Sequence, residues 1–255
     1  MMFRHGQIRM RPISLILLGS LRGFSSTNHN PYGAATAALN VAIISGSTRT
    51  EGPPRPILSK RVVPFIEKAL LRRGNSCQIV DARDVDFPLL QKPHFAYAKS
   101  QVPKPLNDIH DIFVWADAYV AITPEYNHAP SPGLLNVMNH FGSSTFGFKP
   151  SAIVSYSAGQ WGGTRAAHSL RPSLSELGCL PVSAMVHIPN AQDVLDDDGT
   201  VKGGEEEKLR WDSYTARCLS QLEWWGEAAK NQKEKVDPTL ASPALAKSPS
   251  QRNAP

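Results

Sequence analysis

Leu39-Asn40-Val41-Ala42-Ile43-Ile44-Ser45, followed by Gly46-Ser47-Thr48-Arg49-Thr50, is the stretch on which the fold turns. Its first half is short, apolar and β-branched, with no polar alternation, which is the pattern of a strand buried on both faces. Gly46 ends the run. After a proline-rich loop, residues 57–73 have helical spacing, with Leu58, Val62, Phe65, Ile66, Ala69 and Leu70 as the inward stripe. Gly74 then supplies a natural helix stop.

The same alternation continues along the chain. Strands are predicted at 78–80, 118–123, 151–156 and 182–186, and helices at 106–116, 132–141, 164–177 and 205–230. Ser131 reads as the N-cap of the helix at 132, with proline at its first position. Five strands alternating with helices imply an α/β domain, a doubly wound parallel sheet with helices on both faces. Right-handed crossovers bring the carboxyl ends of the strands to one edge, where such sheets bind ligands.

The two ends read differently from this block, which spans residues 39–233. The formal net charge is +5, and Arg4, Arg9, Arg11 and Arg22 carry four of those charges within the first thirty residues, well before the first acidic residue, Glu51. Residues 1–36 have the composition of an organelle transit peptide, and Arg22-Gly23-Phe24-Ser25-Ser26 resembles a mitochondrial processing site. The expected location is therefore the mitochondrion. A secretory signal, with residues 13–18 as its apolar centre, and a plain disordered leader are the competing readings. With the leader set aside, the domain is nearly neutral, which argues against a nucleic-acid surface. Residues 234–255, rich in Pro, Ser, Ala and Lys, read as a flexible tail.

No stretch approaches the roughly 20 apolar residues of a membrane span. Cys77, Cys179 and Cys218 lack metal-binding or disulfide spacing, so no metal is expected and each reads as a small buried hydrophobe. Trp224 and Trp225, on the last helix, are expected in the core, with a subunit interface as the alternative.

Three loops on the carboxyl edge carry the unusual residues. Gly46-Ser47-Thr48-Arg49-Thr50 offers small residues, hydroxyls and amides that can ring a phosphate, with Arg49 to neutralise it. It matches neither GxxxxGK[ST] nor GxGxxG. Pro53, Pro54 and Pro56 remove amide donors nearby and Glu51 adds an opposing charge, which Arg55 can offset. Thr123-Pro124-Glu125-Tyr126-Asn127-His128 places a rigid turn beside a flat side chain, suited to the edge of an aromatic heterocycle. Ser157-Ala158-Gly159-Gln160-Trp161-Gly162-Gly163 permits close backbone approach to a ligand and positive φ. Each loop taken alone also reads as an ordinary turn.

Together these loops, with Pro132-Gly133-Leu134-Leu135-Asn136 and Thr164-Arg165-Ala166, resemble the NADPH-dependent FMN reductase family over residues 39–190. The resemblance implies a flavodoxin-like fold with five parallel strands in the order 2-1-3-4-5, and a homodimer or homotetramer. It implies FMN as cofactor and NADPH or NADH as co-substrate, with electrons passed to a quinone, flavin or related small acceptor. By position, Ser47 and Arg49 would hold the phosphate. Pro124, Glu125, Tyr126 and Asn127 would flank the ring system, and Ser157 and Gly159 would meet its pyrimidine side. The proline-rich insertion after Thr50 departs from the family pattern.

In such an enzyme the cofactor carries the chemistry, so no catalytic side chain is assigned. Glu125 and His128 are the candidates for moving a proton, though both also suit a solvated loop. Two rivals stand beside the reductase. One is an electron carrier or redox sensor with the same loops and no nicotinamide turnover. The other is a serine hydrolase using Ser157 with His187, weakened because Ser155 stands where a nucleophile elbow requires glycine.

Overall fold

Strand β1 (Asn40–Ser45) shows the two-sided burial its composition predicts. Val41 and Ile43 enter one apolar cluster, Ala42 and Ile44 the other, all of them fully buried. Complete burial of each large aliphatic side chain is worth roughly 1.5–3 kcal/mol, which is why the strand lies inside the sheet and not at its edge. The computed structural model describes residues 38–54, 56–85 and 88–241. The leader at 1–36, Arg55 and residues 242–255 lie outside that range.

From β1 the chain runs through α1 (Ser59–Arg72), β2 (Ser76–Asp81), α2 (Lys104–Trp115) and β3 (Ala118–Tyr126). It continues through β4 (Ala129–Pro130), α3 (Pro132–Asn139), α4 (Ser143–Phe146), β5 (Pro150–Tyr156) and α5 (Thr164–Glu176). Then come β6 (Leu180–Pro181), β7 (Val186–Ile188), α6 (Ala191–Val194), α7 (Glu205–Lys233) and α8 (Pro238–Ala241). The sheet order is β2-β1-β3-β5, with β6 and β7 both paired to β5; these pairings are parallel, and only β4 runs antiparallel, against β3. Helices α1 and α7 cover one face, and α2, α3 and α5 the other. This is the doubly wound, flavodoxin-like arrangement. All six residues of the stripe predicted for α1 are buried.

The structure departs from several of these expectations. The fifth strand is not continuous over 182–186: it is two short pieces, with residues 182–185 outside the ladder apart from a Val182 N–H bond to the Ser151 carbonyl. Side chains replace the missing ladder bonds. Arg171 donates to the carbonyls of Pro181, Val182 and Ser183, Gln221 accepts from the Ala184 amide, and Cys218 Sγ donates to the Ala184 carbonyl. With the added hairpin strand β4, the described residues form seven strands where five were expected. Trp224 and Trp225 are not in the core; they are 60% and 42% exposed, one ring edge-on to the other at 4.5 Å. Cys179 and Cys218 are buried hydrophobes, but Cys77 is only half-buried. Within the described part of the predicted tail, the Glu234 N–H donates to the Lys230 carbonyl and α8 follows. Among the described residues, no helix is long and apolar enough to cross a membrane.

Candidate functional site

The carboxyl ends of β1, β3 and β5 open onto one cleft of about 220 Å³. Six of the eight predicted site residues line it: Ser47, Arg49, Pro124, Glu125, Tyr126 and Ser157. Pro54, Ile57, Leu58, Tyr156 and Ala158 complete the wall, and none of these was singled out from the sequence as a site residue. Tyr156 closes β5, so its place one step before a predicted loop was the signal that could have found it. Asn127 and Gly159 are exposed and lie just outside the lining.

The first loop is fixed by close approach to α3. The Gly46 N–H donates to the Ile122 carbonyl at 2.9 Å. Ser131 Oγ donates to the Gly46 carbonyl at 2.7 Å and, as N-cap, accepts from the Leu134 amide. A Cβ on Gly46 would stand 2.4 Å from the Leu134 Cβ, and one on Gly133 would stand 2.8 Å from the Gly46 carbonyl. Both glycines are therefore required by space. The result is a buried Ser47 at the cleft. Arg49 turns back on the insertion, donating through Nη2 to the carbonyls of Glu51 and Pro53. The proline-rich segment thus holds the guanidinium by its carbonyls, whatever amide donors its prolines remove.

The second loop is a tight hairpin. Glu125 pairs with Pro130 and Tyr126 with Ala129, so Asn127 and His128 alone form the turn, both at positive φ. Such two-residue turns match the twist of the flanking strands. Glu125 does not point at solvent. Its carboxylate accepts from Arg165 Nη1 at 2.7 Å and from the backbone amides of Arg165 and Ala166 at 3.1 and 3.4 Å. The N-cap of α5 is Gly163, which has no side chain to cap the helix. Glu125 supplies that cap from another strand. Burial by itself would raise the Glu125 pKa, but the Arg165 guanidinium and the two amides outweigh it and hold the carboxyl below its ordinary value. Its geometry makes it a tie between the two loops. His128 is exposed at the hairpin tip.

The third loop is held by the start of α6. Asn190 and Ala191 donate to the carbonyls of Gly159 and Ser157, and Gln192 Nε2 donates to that of Ala158. Gly162 and Gly163 have φ of 61° and 77°. A Cβ on Gly159, by contrast, would meet nothing within 4 Å, so its backbone is open to an approaching ligand. Trp161 is 60% exposed, with the Arg165 guanidinium 5.4 Å from its ring centre. The Tyr126 hydroxyl is buried without a hydrogen-bond partner, a state that protein structures rarely leave uncompensated. Burial keeps the Tyr156 phenol well above its ordinary pKa, against the opposing Ser47 hydroxyl.

This geometry does not assemble a hydrolytic serine. Ser157 Oγ donates to the Gly159 carbonyl at 2.8 Å. His187 pairs instead with Ser155, which is fully buried. Among the described residues no cluster of His, Cys, Asp or Glu is placed to hold a metal ion.

Comparison with known proteins adds a family and several relatives. Residues 39–193 match the family described as NADPH-dependent FMN reductase. An NAD(P)H-dependent FMN reductase of Pseudomonas aeruginosa is 27% identical over 175 residues, covering 67% of this chain and 89% of the relative. A quinone reductase of Pseudomonas putida is 28% identical over 167 residues, covering 63% and 83%. Among solved structures, a flavoenzyme NAD(P)H:(acceptor) oxidoreductase from Paracoccus denitrificans aligns with TM-score 0.56 at 21% identity, over 73% of this chain and 98% of that one. At that identity the last likeness speaks to the fold alone.

Proposed function

From the premise that this chain belongs to the NADPH-dependent FMN reductase family, we propose that the three-loop cleft seats FMN and that the electron acceptor is a quinone or a flavin. The chain is an FMN-dependent NAD(P)H oxidoreductase. The observation that carries the placement is the convergence of Ser47, Arg49, Pro124, Glu125, Tyr126 and Ser157 on one cleft from three separate segments.

The residues present fit the cofactor. Ser47 and Arg49 line the cleft, the hydroxyl suited to a phosphate oxygen, and Arg49 keeps guanidinium N–H groups beyond those given to Glu51 and Pro53. The bare backbone at Gly159 and the unpaired Tyr126 hydroxyl suit a flat heterocycle bearing carbonyl and ring nitrogen groups. When bound, FMN supplies the chemistry of accepting a hydride from NAD(P)H and passing the electrons to the acceptor. The protein's own part is to bind and orient. Glu125 keeps the second and third loops in register through Arg165 and the α5 amides. Pre-set amide dipoles at the cleft need no reorganisation as charge develops. Trp161 presents an exposed indole beside the cleft loops, suited to a flat substrate.

The decisive experiment is an absorption spectrum of purified protein before and after FMN, then NADPH, then a quinone. Flavin bands that bleach with NADPH and return with the quinone support the whole reading. Bands that do not bleach favour a pure electron carrier, and no flavin binding overturns the placement. The exposed Trp224–Trp225 pair favours a homodimer or homotetramer. The arginine-bearing, acid-free leader favours mitochondrial import, which a reporter fused after residue 36 tests; cytosolic fluorescence would end that reading.

A further inference from the structure

His187 and Ser155 are neighbours in the parallel register of β7 and β5. His187 Nδ1 lies 2.7 Å from Ser155 Oγ, and the same oxygen lies 2.8 Å from the Gly162 carbonyl. A hydroxyl has one proton to give. The Gly162 carbonyl can only accept, so the Ser155 proton goes there. The imidazole must then donate its Nδ1–H to Ser155, which fixes the neutral tautomer with the proton on Nδ1. Burial, with the nearby His168 adding to it, lowers the His187 pKa and favours that neutral ring. The polar chain therefore runs from His187 Nδ1–H to Ser155 Oγ–H to the Gly162 carbonyl.

This chain ends at the sharpest part of the third loop. Gly162 and Gly163 adopt positive φ, and a Cβ on either would stand 2.9–3.0 Å from Ser155, Tyr156 or Pro189. The loop backbone thus rests directly on the strand ends. At its other end, His187 is anchored by its own N–H, which donates to the Tyr214 hydroxyl of α7 at 3.0 Å. We propose that His187 is a positioning residue for the FMN site: acting through Ser155, it holds the Gly162 carbonyl inward and so sets where Ser157, Gly159 and Trp161 meet the cofactor. This rests on the reading that the third loop receives FMN. His187 itself touches neither cofactor nor substrate in this role.

The test uses the full chain, stripped of flavin, with three variants. His187→Leu removes the donor, Ser155→Ala removes the centre of the relay, and His187→Asn keeps an amide N–H where Nδ1 stood. FMN affinity is read by quenching of flavin fluorescence, and loop order by hydrogen exchange of residues 158–163 without FMN. His187→Leu and Ser155→Ala should each weaken FMN about tenfold, the effect of losing one buried hydrogen bond, and should speed exchange in the loop. His187→Asn should restore both. Wild-type binding together with unchanged affinity and exchange in His187→Leu overturns the assignment alone. So does a His187→Asn variant as impaired as His187→Leu, because shape rather than the donor would then be responsible. Should His187→Leu fail to fold, Ser155→Ala decides by the same two readings. If wild-type protein does not bind FMN, the cofactor placement falls, and this assignment with it.

Discussion

Glu125 reaches from β3 to the first turn of α5, across forty positions of sequence, and does the work of a cap that Gly163 cannot do. Replacing it with alanine should cost about 1–2 kcal/mol of stability, read as a shift in the urea midpoint, and should weaken FMN binding. Glutamine, which keeps an acceptor, should cost less. Because the folded pKa of Glu125 is depressed, its contribution is complete above its unfolded value, roughly 4.3, and is lost as pH falls through the folded value. A second titration acts at milder pH. The rings of His94 and His110 stack at 3.9 Å, and burial, then the neighbouring His94, push the His110 pKa down against the pull of Asp111. The unfolded chain thus takes up this proton first on acidification, so stability falls as pH drops below about 6.5. Between pH 7.5 and 5.5, His110→Phe should lose less of its urea midpoint than the wild type; an equal loss would refute the stacking argument. The sequence singled out Glu125 as a site residue but not Arg165 as its partner. Pairing between residues so far apart leaves no local pattern, and the one hint was a helix opening on a glycine.

At the scale of elements, the strands and helices were largely legible, because a strand buried on both faces and a helix with one apolar stripe have different periods. The fifth strand misled for a related reason. Val182-Ser183-Ala184-Met185-Val186 has the residues of a strand, but Arg171, Gln221 and Cys218 compete for its backbone groups, and no local rule counts distant side chains. The loops were legible as places and less so as contacts. Gly46 and Gly159 make the contrast testable. Gly46→Ala forces a Cβ to 2.4 Å from Leu134 and should cost about 1–3 kcal/mol, as overpacking does. Gly159→Ala meets nothing and should leave the urea midpoint within about 0.5 kcal/mol of wild type, while weakening FMN binding. If Gly159→Ala binds FMN normally, the cofactor does not approach that backbone.

Over the whole molecule, the burial pattern leaves fourteen large apolar side chains exposed among the described residues, and Trp224 with Trp225 are the bulkiest adjacent pair. Sequence expected them inside, because a tryptophan's surface is costly to expose. Their helix instead buries Cys218, Leu219, Leu222 and Glu223, the last held by Arg73 and Asn75, and that choice of face turns both indoles outward. Light scattering should therefore return a dimer or larger species, and replacing both tryptophans with serine should shift it toward monomer. A wild-type monomer would leave the pair as plain surface. The interrupted strand at 180–188 has a consequence at this scale as well. A sheet's margin is where a stray chain can add itself, rung by rung, and begin a fibril. Here the guanidinium of Arg171 already occupies three successive carbonyls, and the side chains of Gln221 and Cys218 occupy the amide and carbonyl that follow. The gap that spoils the regular ladder thus leaves an incoming strand fewer free rungs on which to add along that margin.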